Sequence, residues 1–152
     1  MNERVLYEHR QTGWLTVIVL FAIAVLICIA AAISAPSERT LSYSLVPILL
    51  VVAALFSTLT VRVTERHMMW FFGVPGIGRS VPISQITSIR AIKTNILEGW
   101  GIHLTWHGWV WNVSGFNAVQ ITLHSGTRFA VGTPEPQAVI DAVQSAGGGT
   151  RS

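Results

Sequence analysis

From Trp14 to Ile33 the chain reads WLTVIVLFAIAVLICIAAAI, an unbroken apolar run. About 20 residues at 1.5 Å rise cross a hydrocarbon core roughly 30 Å thick, so this run predicts a transmembrane helix. A cleaved signal peptide fits less well: its apolar core is usually about 7–15 residues, and a cut after Ala35 would leave Pro36 behind it. Residues 35–40 carry a proline with Glu38 and Arg39 and predict a turn in water. A second apolar run, LSYSLVPILLVVAALF, starts at Leu41 and extends to about Ser57. Tyr43 falls near one of its boundaries and Trp14 and Phe56 near the other, where amphipathic aromatics favour the interface. Pro47 falls in the first two turns, where its missing N–H matters little. The expectation is an antiparallel helical hairpin, helices about 14–34 and 41–57, making residues 1–57 an N-terminal segment plus membrane anchor.

The helical period stops near Ser57. Leu59, Val61 and Val63 then alternate with Thr58, Thr60, Arg62 and Thr64, as a half-buried strand requires. No Gly/Ser/Pro linker intervenes, so the second helix should run almost directly into the first strand. Further strands are expected at about 68–73, 79–81, 86–94, 101–106, 109–113, 118–124 and 127–131. Turn residues separate them: Val74-Pro75-Gly76-Ile77-Gly78, His107-Gly108, Ser114-Gly115-Phe116-Asn117 and Ser125-Gly126. Short strands joined by hairpins predict an antiparallel sandwich or barrel. Thr133 as N-cap and Glu135 in the first turn open a helix whose stripe is Val139, Ile140 and Val143. Gly147-Gly148-Gly149 ends it. The fold class is therefore α+β: a membrane hairpin, a small antiparallel β-barrel over 58–146 capped by a C-terminal helix, and a tail over 147–152.

The pattern resembles that of bacterial membrane proteins with a PH-like domain. The resemblance covers roughly residues 59–144. It rests on Ile83-Ser84-Gln85-Ile86 before a strand, on Gly99-Trp100-Gly101-Ile102, on Gly115 followed by Ala118-Val119-Gln120-Ile121, and on Gly126-Thr127-Arg128-Phe129 leading into Val131-Gly132-Thr133 and Pro136. It implies a seven-stranded barrel with a C-terminal capping helix, and a binding or scaffolding fold with no named ligand.

Composition supports the membrane assignment: 51% of the 152 residues are hydrophobic and 11% charged, against about a quarter charged in soluble domains. Glu38 and Arg39 are the only charges between Trp14 and Val61. The net charge of +3 arises after Val61, from Arg62, Arg66, Arg79, Arg90, Lys93, Arg128 and Arg151 against four acids. That excess suits a solvated surface, or weak attraction to anionic lipid or an acidic partner. Arg4, Arg10, Arg62 and Arg66 flank one side of the hairpin and Arg39 the other, so the positive-inside rule places both termini in the cytoplasm.

Candidate chemistry is sparse. Cys28 is the single cysteine and lies inside an apolar run, where it reads as a small hydrophobe. After the hairpin the carboxylates are Glu65, Glu98, Glu135 and Asp141, and no pair suggests acid–base work. His103 and His107 flank a strand end and would stand roughly 13 Å apart in extended chain, with no third metal ligand nearby in sequence; His67 and His124 read as exposed turn or strand residues. The glycines of GVPGIG precede no helix that could cradle phosphate. Ser114 lacks a nucleophile elbow, and the sequon at Asn112 matters only in a glycosylating lumen. Trp70, Trp100, Trp106, Trp109 and Trp111 could stack bases, but core and interfacial roles suit them better. No enzyme, cofactor, metal or nucleic-acid partner is expected.

The function expected is a non-enzymatic module at the cytoplasmic face of the cell membrane, binding a partner protein or the lipid surface. The alternative is an accessory subunit packing through small residues of its hairpin, Ala30-Ala31-Ala32, Ala53-Ala54 and Ser57. Counting outward from Ser57 and back brings the turn after Phe72 to the membrane-proximal end. Val74 and Ile77 are then expected at headgroup level and Arg79 near phosphates.

Overall fold

The computed structural model describes residues 3–73, 77–94, 101–105 and 108–151. Two long apolar helices form, α1 (Trp14–Ile33) and α2 (Pro36–Phe56). Their side chains are almost wholly exposed, with Ala24 and Ala31 the buried exceptions. Exposed apolar helices of this length are stable in lipid and costly in water. Cys28 is exposed on this surface, as a lipid-facing residue would be.

α2 begins at Pro36, inside the turn expected at 35–40 and ahead of the helix start expected at 41, because Pro36 suits the first helical position and Glu38 favours the positive end of the helix dipole. Arg39 folds back, donating from Nε to the Ser34 carbonyl (3.0 Å) and from Nη2 to the Ala32 carbonyl (3.2 Å). Its cation thereby caps the carbonyl end of α1. The earlier start leaves Pro47 in the helix interior, so the Tyr43 carbonyl lacks its helical donor.

Residues ahead of the hairpin, for which the sequence predicts no element, form strand β1 (Val5–Thr12). After the hairpin come β2 (Thr58–Thr64), β3 (His67–Phe72), β4 (Gly78–Pro82), β5 (Ile86–Lys93), β6 (Gly101–Thr105), β7 (Gly108–Asn112), β8 (Asn117–Leu123) and β9 (Arg128–Gly132). Helix α3 (Pro136–Ser145) and a short β10 (Thr150–Arg151) complete the described chain. The strands expected from β2 to β9 are all present. β10 draws part of the expected tail into the sheet, and α3 starts two residues later than expected: Glu135, not Thr133, is its N-cap, while Thr133 Oγ1 accepts from the Glu135 amide (3.2 Å) in the turn before it.

One sheet has the order β1-β2-β3-β4 and the other β10-β5-β8-β9-β7-β6. The barrel is not closed: among the described residues β4 and β6 end their sheets without pairing with each other. Nor is the structure purely antiparallel, since β7 runs parallel to β9 and β10 parallel to β5. The turn at 114–117 therefore does not close a hairpin, because β9 lies between β7 and β8. A seven-stranded closed barrel is not what these strands make.

The two sheets enclose a core that includes Leu59, Val61, Val63, Met68, Ile89, Val119, Ile121 and, from α3, Val139 and Val143. Aromatic rings run through it from the end of α2. Phe56 meets Phe72 (5.1 Å between centroids), Phe72 stacks on Trp111 (5.7 Å), and Trp70 packs against both Trp111 (6.3 Å) and Phe129 (5.6 Å). These contacts join the anchor to the sheets by packing as well as by backbone.

β1 is tied to its neighbours by charge. Arg62 donates twice to the Glu8 carboxylate (2.9 Å each), and Thr64 Oγ1 donates to Glu3 Oε2 (2.6 Å) beside the His67 ring. The hydrogen bond from Thr64, then that of His67, holds the Glu3 carboxyl below the usual carboxylate range, and the Arg62 guanidinium does the same for Glu8. Depressed folded-state values stabilise above the unfolded range, near 4.3, and that contribution vanishes as pH falls through the folded values. Hydrogen-exchange protection of β1 amides should therefore drop between about pH 6 and about pH 3 more than that of β8. Equal loss in both strands would show that these carboxylates do not fasten β1.

Candidate functional site

Register assigns every side chain to a face. Trp111 and Phe129 point into the core, and Trp109 lies opposite Phe129 and two residues from Trp111. Leu104 lies opposite Trp109, and Ile102 opposite Trp111. All five share the interior face. Yet Ile102, Leu104 and Trp109 are 37%, 68% and 45% exposed, because the four-stranded sheet does not reach them. Across the gap, Arg79 stands opposite Trp70 on the interior side of β4. Its guanidinium lies 4.6 Å from the centroid of the Phe129 ring, a cation–π contact. Among the described residues an open seam results, with an apolar strip and the Arg79 cation between two strand edges that have no partner strand. A groove of about 320 Å³ lies across β2, β3 and β4, lined by residues that include Arg62, Met69, Phe71, Arg79 and Ser80. Among the described residues no carboxylate pairs with Arg79.

A second feature is the rim where the sheets meet the helices. The Gly13 amide donates to the Ser57 carbonyl (2.7 Å), so the two ends of the hairpin adjoin. A side chain at Gly13 would come within 2.7 Å of the Val113 carbonyl, toward which Thr16 Oγ1 donates (3.5 Å). On the other side Gly73, at φ +50°, lies so close to α2 that a Cβ there would stand 2.6 Å from the Leu55 carbonyl. Gly73, just past β3, and the start of the turn after β7 are thus level with the helix ends. Of the residues expected to meet lipid, Val74 lies outside the described residues. Ile77 is half-buried and packs against the core, and Arg79 is the seam cation.

The remaining candidates have structural partners. Glu135 accepts from Tyr7 Oη (3.1 Å) and faces His9 Nδ1 (3.8 Å), while Gln11 Nε2 donates to the Gly132 carbonyl (2.8 Å). Burial pushes the Tyr7 phenol above its ordinary value. These contacts fasten the polar inner side of β1 to the start of α3. Asn112 of the sequon is buried and donates to the Gly115 carbonyl (3.1 Å), so it serves the turn. Among the described residues no three His, Cys, Asp or Glu side chains gather for a metal. Glu98, Trp100, Trp106 and His107 lie outside the described residues. Along the hairpin, Ala24, Cys28, Ala32, Val46 and Leu50 line an apolar groove of about 380 Å³.

The seam was not legible in the sequence: Ile102, Leu104 and Trp109 have the alternation of core residues, and only the unpaired β4 and β6 edges expose them. No family model, no curated protein and no solved structure matches the chain.

Proposed function

We propose that this chain is a non-enzymatic, membrane-anchored recognition module, PH-like in design, whose open seam takes an extended segment of a partner protein at the cytoplasmic face of the cell membrane. The observation that carries the reading is the exposed interior strip Ile102, Leu104 and Trp109 beside unpaired strand edges. Unpaired edges accept an added strand through main-chain hydrogen bonds, while alternate side chains enter the apolar strip. Arg79 favours a segment with a carboxylate among its apolar residues. Two sheets packed with a C-terminal helix support the PH-like part, and the arginines flanking β1 and β2 support the cytoplasmic placement.

Peptides selected from a random display library on the detergent-solubilised full chain should alternate apolar residues and carry an acid. Leu104→Arg and Arg79→Glu should each weaken their binding at least about tenfold, since each removes about 1.4 kcal/mol or more. Absence of binders, or binders indifferent to both substitutions, would sink the seam as a recognition site. The groove along the hairpin favours a second reading, an accessory subunit packed into a larger membrane complex. A stoichiometric membrane protein retained in the same mild-detergent preparation would favour that reading.

A further inference from the structure

Beyond the seam, the geometry points to a lipid-binding contact on the turn after β7: Phe116 enters the headgroup region of the bilayer that α1 and α2 span, and Lys93 meets an anionic phospholipid headgroup beside it. The contact is independent of what the seam binds and rests on the helices as spans.

Position is the first ground. The Val113 carbonyl, at the start of the turn, touches Gly13 and the Thr16 hydroxyl in the first turn of α1. Trp14, in that same turn, is 69% exposed, as an interfacial aromatic would be. The turn is therefore carried at the depth where the first helix enters lipid. The second ground is rigidity. The buried Asn112 side chain donates to the Gly115 carbonyl and accepts from the Ser114 amide (3.2 Å), and Gly115 adopts φ +75°. The Phe116 carbonyl accepts from the Thr94 amide (2.7 Å). A turn fixed from both sides presents Phe116 45% exposed, with little backbone entropy left to lose on burial.

Charge is the third ground. Lys93 stands opposite Asn117 at the end of β5, exposed and adjacent to the Phe116 turn. Among the described residues no carboxylate pairs with it. An apolar ring beside an ammonium suits the boundary between acyl chains and phosphates, where the ring leaves water and the cation keeps its anion. Together with the two helices, this contact fixes the tilt of the β-rich part against the bilayer.

The test uses the full chain in liposomes with nitroxide labels read by oxygen and nickel-chelate accessibility. A label on native Cys28 reports the span itself. In a Cys28→Ser background, a label on Asn117→Cys should read at headgroup depth, and one on Ser125→Cys should read as aqueous. Phe116→Asp should lift the 117 label by about 5 Å or more. Lys93→Glu should lift it in vesicles of phosphatidylcholine with phosphatidylglycerol and leave it unmoved in pure phosphatidylcholine. A 117 label as aqueous as the 125 label, with Cys28 in the hydrocarbon core, overturns the contact. Insensitivity to Lys93→Glu in both vesicles overturns its anionic part. An aqueous Cys28 label overturns the membrane reading beneath it.

Discussion

Replacing residues 14–56 with an Asn-Gly turn is expected to yield a water-soluble protein with both sheets folded, whereas a chain beginning at residue 57 is expected to lose a substantial part of its stability. The Gly13 amide already bonds to the Ser57 carbonyl, and β1 and β2 continue from that point as an antiparallel ladder ending at Val5 and Thr64. A two-residue type I′ turn has the twist that such a ladder needs. The replacement removes Phe56 from the fringe of the core and little else of it. Starting at residue 57 instead deletes β1, with Leu6 and Tyr7 packed on the core and the Gln11 bond to Gly132. Two partly buried side chains and a buried hydrogen bond together contribute on the order of 3 kcal/mol, from a total that is usually about 5–15. Deletion also bares the edge of β2, inviting aggregation. Size-exclusion chromatography and thermal melting by circular dichroism compare the two chains. Equal melting midpoints would show that β1 is dispensable.

In that soluble variant, Trp70→Ala should cost about 3–5 kcal/mol, the usual range for emptying a large aromatic site. Trp70 is fully buried and contacts both Trp111 and Phe129, so its removal opens the middle of the aromatic column between the sheets. Leu104→Ala, on the same interior face but 68% exposed, should stay within about 0.5 kcal/mol. Urea denaturation measures both. A Trp70→Ala cost below about 1 kcal/mol would mean that the two sheets do not depend on this ring.

Much of the architecture is legible in the residues, for reasons that also explain the misses. The helices announce themselves because each is one long apolar run of membrane-spanning length, and β2 because Leu59, Val61 and Val63 alternate with polar residues. β1 hides because its inward positions Tyr7, His9 and Gln11 are polar and meet Glu135 and the Gly132 carbonyl, so no apolar alternation marks it. The start of α2 hides because Pro36 and Arg39 suit a turn and a helix start equally, and the Arg39 bonds to the end of α1 decide between them. Parallel pairing of β7 with β9 depends on contacts distant in sequence, while the turn between β7 and β8 has the residues of a local hairpin. At the rim, Phe116 is a turn residue like any other until Val113 is seen against Gly13 and Thr16.

The pairing of β1 with β2 across the hairpin has a consequence for biogenesis. With both helices as membrane spans, β1 is synthesised before β2 and has no partner until both helices have been made. If only one helix crosses the bilayer, β1 and β2 emerge in different compartments and the four-stranded sheet cannot assemble. Completion of that sheet thus reports that the anchor has inserted twice. A misinserted chain instead carries an unpaired strand and a bare apolar edge, the features by which quality-control proteases distinguish unfinished proteins from finished ones.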